Sequence, residues 1–194
     1  MGHYFTNENL ESNIQSFKIK IQNHDFIFKT DNGVFSKGEL DFGTNLLIKN
    51  VLKQNITGEV LDLGCGYGPI GITLSKILNC NVTMIDVNKR AVHLTKMNIK
   101  DNNVDNCEVL VSDGYSEVAD KKFDYIVSNP PIRVGKKILY DLLINAKDHL
   151  KETGKMFIVI RKEQGANSLI RDMSEHYQVE VIDKEKGFFI IVLK

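Results

Sequence analysis

Apolar residues recur along this chain with two alternating periods. From about residue 45 onward, short strand-like runs are separated by stretches with one apolar helical face. Leu46–Lys53 is helical, with apolar residues at 46, 47, 48, 51 and 52. Glu59–Leu63 reads as a strand that ends in a glycine-rich turn, and Ile70–Leu78 continues as a helix. Val82–Asp86 is a second strand, Lys89–Asn102 a second helix and Cys107–Ser112 a third strand. Phe123–Ser128 is a fourth strand, entered without a long helix before it. Lys136–His149 is a helix, Lys155–Ile160 a fifth strand and Gln164–His176 a further helix. Gln178–Asp183 and Phe188–Leu193 are strands on either side of the turn Lys184–Gly187.

This alternation predicts a doubly wound, Rossmann-like α/β fold with a mostly parallel sheet and helices on both faces. The turn joining the last two strands is too short for a parallel crossover, which takes a dozen or more residues, so those strands pair antiparallel. Ahead of this domain, 17–35 alternates at Phe17, Ile19, Ile21, Phe26 and Phe28, which predicts an N-terminal β-hairpin turning near Asn23–His24–Asp25. The hairpin is expected either to cover a sheet edge or to serve the substrate. The chain thus divides into a hairpin extension over 1–44 and a main domain over 45–194.

Composition narrows the class. The 194 residues are 42% hydrophobic and 26% charged, with 25 Lys and Arg against 25 Asp and Glu, so a core is affordable and a polycation is excluded. A local basic face remains open. The polar start, Met1–Gln15, lacks the apolar core of a signal peptide, and no apolar run approaches the roughly 18 residues of a membrane span, so a cytoplasmic protein is expected. Cys65, Cys80 and Cys107 show no Cys-x-x-Cys spacing and read as reduced thiols. The five His are scattered, so no metal is expected.

The strongest local signal is Asp62-Leu-Gly-Cys-Gly-Tyr-Gly68, where Gly64, Gly66 and Gly68 follow a strand and open a helix. Glycines there permit a tight turn and let a ligand approach the backbone. Gly66-Tyr-Gly-Pro-Ile-Gly71 also satisfies the dinucleotide fingerprint, with Asp86 at the spacing of a ribose-binding acid. An NAD-linked oxidoreductase is therefore one reading. Three acids favour another. Asp62 near the carboxyl end of its strand can meet a cationic group. Asp86 can accept from both ribose hydroxyls. Asp113, in Ser112-Asp113-Gly114, can bind the exocyclic amine of adenine. A ligand with an amino acid cation, a ribose and an adenine needs this set, whereas Asp62 would repel a pyrophosphate. The candidate cofactor set is Asp62, Gly64, Cys65, Gly66, Gly68, Asp86, Val87, Asp113 and Gly114, with Asn129 closing it.

The fourth strand ends in Ser128-Asn-Pro-Pro-Ile-Arg133. Two prolines remove two N–H donors and force extended backbone, leaving the Pro130 carbonyl able to face a site beside the Asn129 side chain. Two adjacent acceptors suit an exocyclic NH2. Bonds to both its hydrogens would draw its lone pair out of conjugation and aim it at an electrophile. Asn129 and Pro130 are the candidate catalytic pair.

With these motifs in order, the chain resembles the class I S-adenosylmethionine-dependent methyltransferases over about residues 30 to 194. That resemblance implies a seven-stranded sheet with an antiparallel last strand, S-adenosyl-L-methionine as cofactor and S-adenosyl-L-homocysteine as product. It also implies direct in-line transfer of a methyl group to a planar nitrogen. More narrowly, the chain resembles the bacterial small-subunit ribosomal RNA guanine-N2 methyltransferases. That likeness is carried by Gly33-Val-Phe-Ser36 with Asp41-Phe-Gly-Thr44, by Asn129-Pro-Pro-Ile-Arg133 and by Arg161-Lys-Glu-Gln-Gly-Ala166. Longer members of that family carry a second, degenerate domain, and this chain resembles the catalytic half. The fourth residue of the corner is Ile132, where such corners commonly carry Phe or Tyr. Methylation of glutamine N5 in a release factor and of adenine N6 are the alternative activities, and a non-catalytic RNA-binding or assembly module is the alternative of another class.

Charge by region fits a nucleic acid face. Residues 129–165 hold eight basic and four acidic residues, net +4, whereas 56–128 hold seven and ten, net −3. Ile132, Arg133, Lys136, Arg161 and Lys162 are the candidate RNA contacts, with Lys137 beside them. The expected partner is ribosomal RNA or the small-subunit particle, met by a monomer.

Overall fold

The computed structural model describes residues 11–34 and 38–194. A hairpin comes first, β1 (Gln15–Ile21) and β2 (His24–Thr30), followed by α1 (Phe42–Leu52). The main sheet is built from β3 (Glu59–Leu63), β4 (Asn81–Asp86), β5 (Cys107–Val111), β6 (Phe123–Ser128), β7 (Leu150–Arg161), β8 (Val179–Glu185) and β9 (Phe188–Leu193). Between them run α2 (Pro69–Leu78), α3 (Lys89–Asp101), α4 (Lys136–Asn145) and α5 (Ala166–Met173). The strand order is β5-β4-β3-β6-β7-β9-β8. Strands β3 to β7 pair in parallel, and β9 is antiparallel to both β7 and β8, as the short last turn required.

Alternation along each strand splits the core into two layers. Val60, Val82, Met84, Phe157, Val159, Ile190 and Val192 face one layer with α1, α2 and α3. Leu61, Leu63, Ile85, Met156, Ile158, Ile160 and Ile191 face the other with α4 and α5. Central strands are apolar on both faces because helices cover both sides.

The chain runs from β3 outward to β5, then returns to place β6 on the other side of β3. Strand order reverses there, and ligand clefts of open α/β sheets form outside the carboxyl ends of the strands at such a point. In register, Asp62 lies beside Val127. The Ser128 hydroxyl donates to the Leu63 carbonyl at 2.7 Å, which locks the two strand ends together. The glycine turn after β3 and the Asn129 corner after β6 are therefore neighbours.

Several boundaries differ from the expected ones. The hairpin turns at Gln22–Asn23, with Gln22 at φ 51°, and His24 and Asp25 already belong to β2. Their polarity suits β2's outer edge and imitates a turn. The hairpin pairs over 15–30, and Phe35 lies outside the described residues. The hairpin packs on α3 instead of covering a sheet edge. The Asn98 side chain accepts from Lys29 N–H at 2.7 Å and donates to Lys29 C=O at 3.0 Å. Asn102, one helical turn on, does the same with Ile27 at 3.1 and 2.7 Å. Two asparagines at i and i+4 thus pair the free edge of β2, while Phe26 and Phe28 are buried in the first core layer. Asn102→Ala leaves the Ile27 N–H and C=O without their side-chain partner. A loss of about 1–2 kcal/mol is expected in urea unfolding.

Helix α1 begins at Phe42, where Asp41 caps it by accepting from Thr44 N–H at 3.1 Å, so the division at residues 44 and 45 falls inside this helix. The stretch read as one helix to His149 is α4 followed by a 3₁₀ segment, Ala146–His149, and β7 starts at Leu150. A 3₁₀ turn over Lys162–Gln164 and Gly165 at φ 94° delay α5 to Ala166.

Candidate functional site

The glycine turn is shaped by backbone that L side chains rarely adopt. Gly64, Gly66 and Gly68 have φ of 72°, 59° and 87°. The N–H groups of Gly64 and Cys65 both donate to the Ile85 carbonyl at 2.9 Å, which joins the turn to the end of β4. A Cβ at Gly68 would lie 2.8 Å from Thr95 Cγ2, and one at Gly71 would lie 2.5 Å from Met84, so these two glycines are close-packing positions. A Cβ at Gly66 would meet nothing within 4 Å. Gly66 therefore borders open space, where a ligand can come against the backbone.

Two residues that the sequence reading passed over pin this turn from α3. Thr95 donates its hydroxyl to Gly66 C=O at 2.8 Å, and Asn98 donates to Tyr67 C=O at 2.8 Å. Asn98 thereby joins the turn to β2. Their signal in the sequence was a polar pair on an otherwise buried helical face.

Asp86 closes the turn from β4. Its Oδ2 accepts from Gly66 N–H and its Oδ1 from Asn88 N–H, both at 2.8 Å. Burial raises the pKa of its carboxyl, and those two N–H groups oppose the rise. Each oxygen keeps a second acceptor direction, as ribose hydroxyls would need. Val87 follows it, partly exposed.

Asp62 differs from expectation. Its side chain is fully buried, and Oδ2 accepts from Gly71 N–H at 2.8 Å. The carboxyl caps the first turn of α2 instead of standing open at the strand end. Its Oδ1 is buried with no hydrogen-bond partner among the described residues. Burial pushes the group up to about 7, the Asp86 charge adding to the rise and the Gly71 N–H opposing it. A buried orphan acceptor of this kind suits a cationic group brought to the turn. Cys65 contributes main chain alone. Its thiol is buried within 4.0 Å of Thr95 Oγ1, and burial holds it far above the usual thiol range.

Asp113 and Gly114 follow β5, whose end is tied to β4 by Ser112 N–H donating to Asp86 C=O at 2.9 Å. Asp113 is exposed and Gly114 sits at φ 55°. A cleft of ≈440 Å³ opens there, lined in part by Asp113, Gly114, Tyr115, Ile138 and Leu142. Asp141, Asn145, Asp148 and His149 complete its lining, so apolar walls meet several acceptors, as a planar base with an exocyclic amine requires.

The Asn129 corner is set by α1. Asn129 Nδ2 donates to Thr44 Oγ1 at 2.9 Å, and Thr44 is buried at the capped start of that helix. With its NH2 so engaged, the Asn129 amide is held with its oxygen as the remaining acceptor. Pro130 is buried and Pro131 exposed. The turn that follows closes on Pro131, whose carbonyl accepts from Val134 N–H at 3.1 Å, so Pro130 C=O is not the acceptor of that turn. Thr44 entered the sequence reading as part of a motif, and the contact supplies its physical role.

The candidate RNA contacts separate. Ile132 is half-buried against the second core layer, which makes it partly a packing residue. The Arg133 side chain, like Phe35 and Ser36, lies outside the described residues. Lys136 reaches Asp172 on α5 at 3.1 Å and lies over the Tyr140 ring, so its charge is locally paired. Lys137 pairs with Asp141 at 2.7 Å. Arg161 and Lys162 are exposed at the end of β7, where Lys162 N–H donates to Gly187 C=O at 2.7 Å. That bond brings in the β8–β9 turn with Lys184 and Lys186, two cations outside the expected basic stretch.

Among the described residues no group of His, Cys, Asp or Glu could hold a metal ion, and no helix is long and apolar enough to cross a membrane. The three cysteines are free thiols.

Residues 25–192 match the model of the methyltransferase small domain. An uncharacterized Bacillus subtilis protein, YbxB, is 42% identical over 196 residues, covering 99% of this chain and 98% of its own length. The ribosomal RNA small subunit methyltransferase C of Haemophilus influenzae is 38% identical over 152 residues, covering 76% of this chain and 45% of that protein. The chain thus spans about half the length of the curated methyltransferases it matches. Among solved structures, a T. thermophilus 16S rRNA N2 methyltransferase (RsmC) in complex with AdoMet and guanosine superposes with a TM-score of 0.82 at 23% identity, covering 93% of this chain and 50% of that one. That likeness speaks for the fold.

Proposed function

The chain belongs to the methyltransferase small domain family, and from that premise we propose that it transfers a methyl group from S-adenosylmethionine to N2 of a guanine in small-subunit ribosomal RNA. The observation that carries the reading is the Asn129 amide, fixed by Thr44 at 2.9 Å beside the glycine turn. An acceptor held in advance at that place selects an amine that has two hydrogens to donate. Ribosomal RNA would be met in the cytoplasm, free or within the small-subunit particle.

When bound, the cofactor supplies an electrophilic methyl group and leaves as S-adenosylhomocysteine. The chain's own residues bind and orient. Gly66 and Gly64 let the ligand lie against the backbone, Asp86 takes the ribose hydroxyls, and the Asp113–Gly114 cleft takes the adenine. Asp62, under the turn, balances the cationic end. Asn129 Oδ1 and Pro130 C=O accept from the two amine hydrogens, which turns the nitrogen lone pair toward the methyl group. The N–C bond would form as the S–C bond breaks, and one of the two N–H protons would then pass to water. The residues' share of the rate is proximity, alignment and these two acceptors, with no nucleophile from the protein.

Asp62 makes the binding step pH-dependent. In the free protein its folded pKa is raised above the ordinary 3.8. Its contribution to stability is therefore full below 3.8 and is lost as pH rises through about 7. A cation at the turn favours the ionised form, so binding releases a proton below that point. Cofactor affinity should rise with pH up to about 7, by no more than about tenfold per pH unit, and level off above. Asp62→Asn keeps the Gly71 N–H cap and should abolish the rise. Calorimetry across buffers of different ionisation enthalpy reads the proton directly.

The acceptor class is tested with labelled cofactor. Ribosomal RNA from cells lacking this protein should take up label, and RNA from cells that contain it should not. Label in a release factor and none in RNA would replace the RNA reading with glutamine methylation.

A further inference from the structure

The motif Asp41-Phe-Gly-Thr44 now has three explained residues. Asp41 caps α1, Thr44 holds Asn129, and Gly43 is a glycine because a Cβ there would lie 2.7 Å from the Phe188 ring. Phe42 is left. Its ring is partly exposed at the first turn of α1, the helix whose Thr44 holds Asn129. It packs at 5.4 Å against Phe188, also half-exposed. Each ring carries a cation: Lys186 Nζ lies 4.7 Å from the Phe42 centroid, and the Arg161 guanidinium lies 4.9 Å from that of Phe188.

The sheet puts this cluster at the right end of the molecule. β7 runs parallel to β6 with Ile158 beside Ser128, and continues three residues further to Arg161. Arg161 pairs with Phe188, and Phe188 with Glu185, so the β8–β9 turn stands on the same end as Asn129. Lys186 and Gly187 at its tip have φ of 47° and 79°, the two-residue hairpin geometry that favours Asn and Gly. A lysine therefore occupies a position where backbone preference calls for another residue. Arg161, Lys162 and Lys186 are exposed there against Glu163 and Glu185, while Lys184 lies over Phe189 on the opposite face of the sheet.

We propose that Phe42 and Phe188, with Arg161 and Lys186 over them, form the surface that receives the RNA strand beside the target amine, the rings stacking a nucleobase and the cations holding phosphates. Any base can stack on an aromatic face, and lysines near it track the backbone. The surface supplies the aromatic wall that the Asn-Pro-Pro corner lacks because its fourth residue is Ile132. The proposal rests on the RNA reading above.

The test is filter binding of a labelled single-stranded RNA of about 12 nucleotides, a typical site size, across a salt series. Phe42→Leu removes the ring face and should weaken binding about tenfold or more without changing the salt slope. Phe42→Tyr keeps the face and should bind like wild type. Arg161→Glu with Lys186→Glu should weaken binding and flatten the slope of log affinity against log salt by about 1.4, two single-strand phosphate contacts. S-adenosylmethionine affinity by calorimetry should stay unchanged in all three. The charge reversals lie at exposed positions and decide the matter should Phe42→Leu unfold. RNA binding by wild type that neither Phe42→Leu nor the charge reversal alters would overturn this surface and leave the RNA reading standing. No RNA binding by wild type at any salt would overturn both.

Discussion

Asn129→Ala is expected to lower turnover by about 10²- to 10³-fold, the range for losing one preorganised polar contact at the reacting group, while cofactor affinity stays within a few-fold. Among the described residues the side chain is placed by one hydrogen bond, Nδ2 to Thr44 Oγ1 at 2.9 Å, which belongs to no strand ladder or helix. Its loss therefore leaves the glycine turn and the Ser128–Leu63 lock intact. Thr44→Val keeps the shape of the buried threonine and removes the acceptor that orients the amide. Turnover should fall less than in Asn129→Ala. The double variant should be no worse than Asn129→Ala alone, because Thr44 acts through Asn129. Single-turnover assays with saturating cofactor, beside calorimetry, read both quantities. Parallel loss of binding and turnover would make Asn129 a structural residue.

Asp86→Ala is expected to weaken S-adenosylmethionine binding by about 10- to 150-fold, the equivalent of losing about 1.5–3 kcal/mol of charge-assisted hydrogen bonding. The geometry places the result toward the upper end. The carboxylate holds Gly66 N–H and Asn88 N–H in addition to its proposed ribose contact, so its removal also loosens the glycine turn. Stability should change much less than affinity. Burial already penalises the charged carboxylate, and removing it relieves that penalty while two N–H bonds are lost. Thermal unfolding of the free protein and calorimetry with the cofactor separate the two effects. Unchanged affinity would remove Asp86 from the site.

Much of this arrangement was legible in the chain because it is written in short, strongly constrained segments. The glycine spacing after EVLDL needs left-handed backbone at three positions, and Asn129-Pro-Pro removes two donors in a row. Both signals are local and chemical, so they locate the site before any topology is known. The strand alternation gave the parallel sheet, and the short link after β8 forced the antiparallel strand. What the sequence hid was long-range. Thr95 and Asn98 pin the turn across about 30 residues of chain, with contacts that no period in α3 announces. Thr44 reaches Asn129 across 85 positions. Lys186 joins Arg161 only because β9 returns antiparallel beside β7. Asp62 has a second partner that its position did not announce: Oδ2 caps the first turn of α2, and Oδ1 alone is left for a cation. The start of α1 was missed because Gly43 weakens a helical pattern, although Asp41 is a cap by type.

The central claim is that the corner of Asn129 and Pro130 presents two acceptors to an exocyclic amine of guanine. Small-subunit ribosomal RNA from a strain lacking the protein, incubated with the enzyme and methyl-labelled cofactor and digested to nucleosides, tests it most directly. The account predicts that the label elutes as N2-methylguanosine and that Asn129→Ala removes it. Label in N6-methyladenosine, on a ring nitrogen, or in any product that Asn129→Ala leaves undiminished would contradict it.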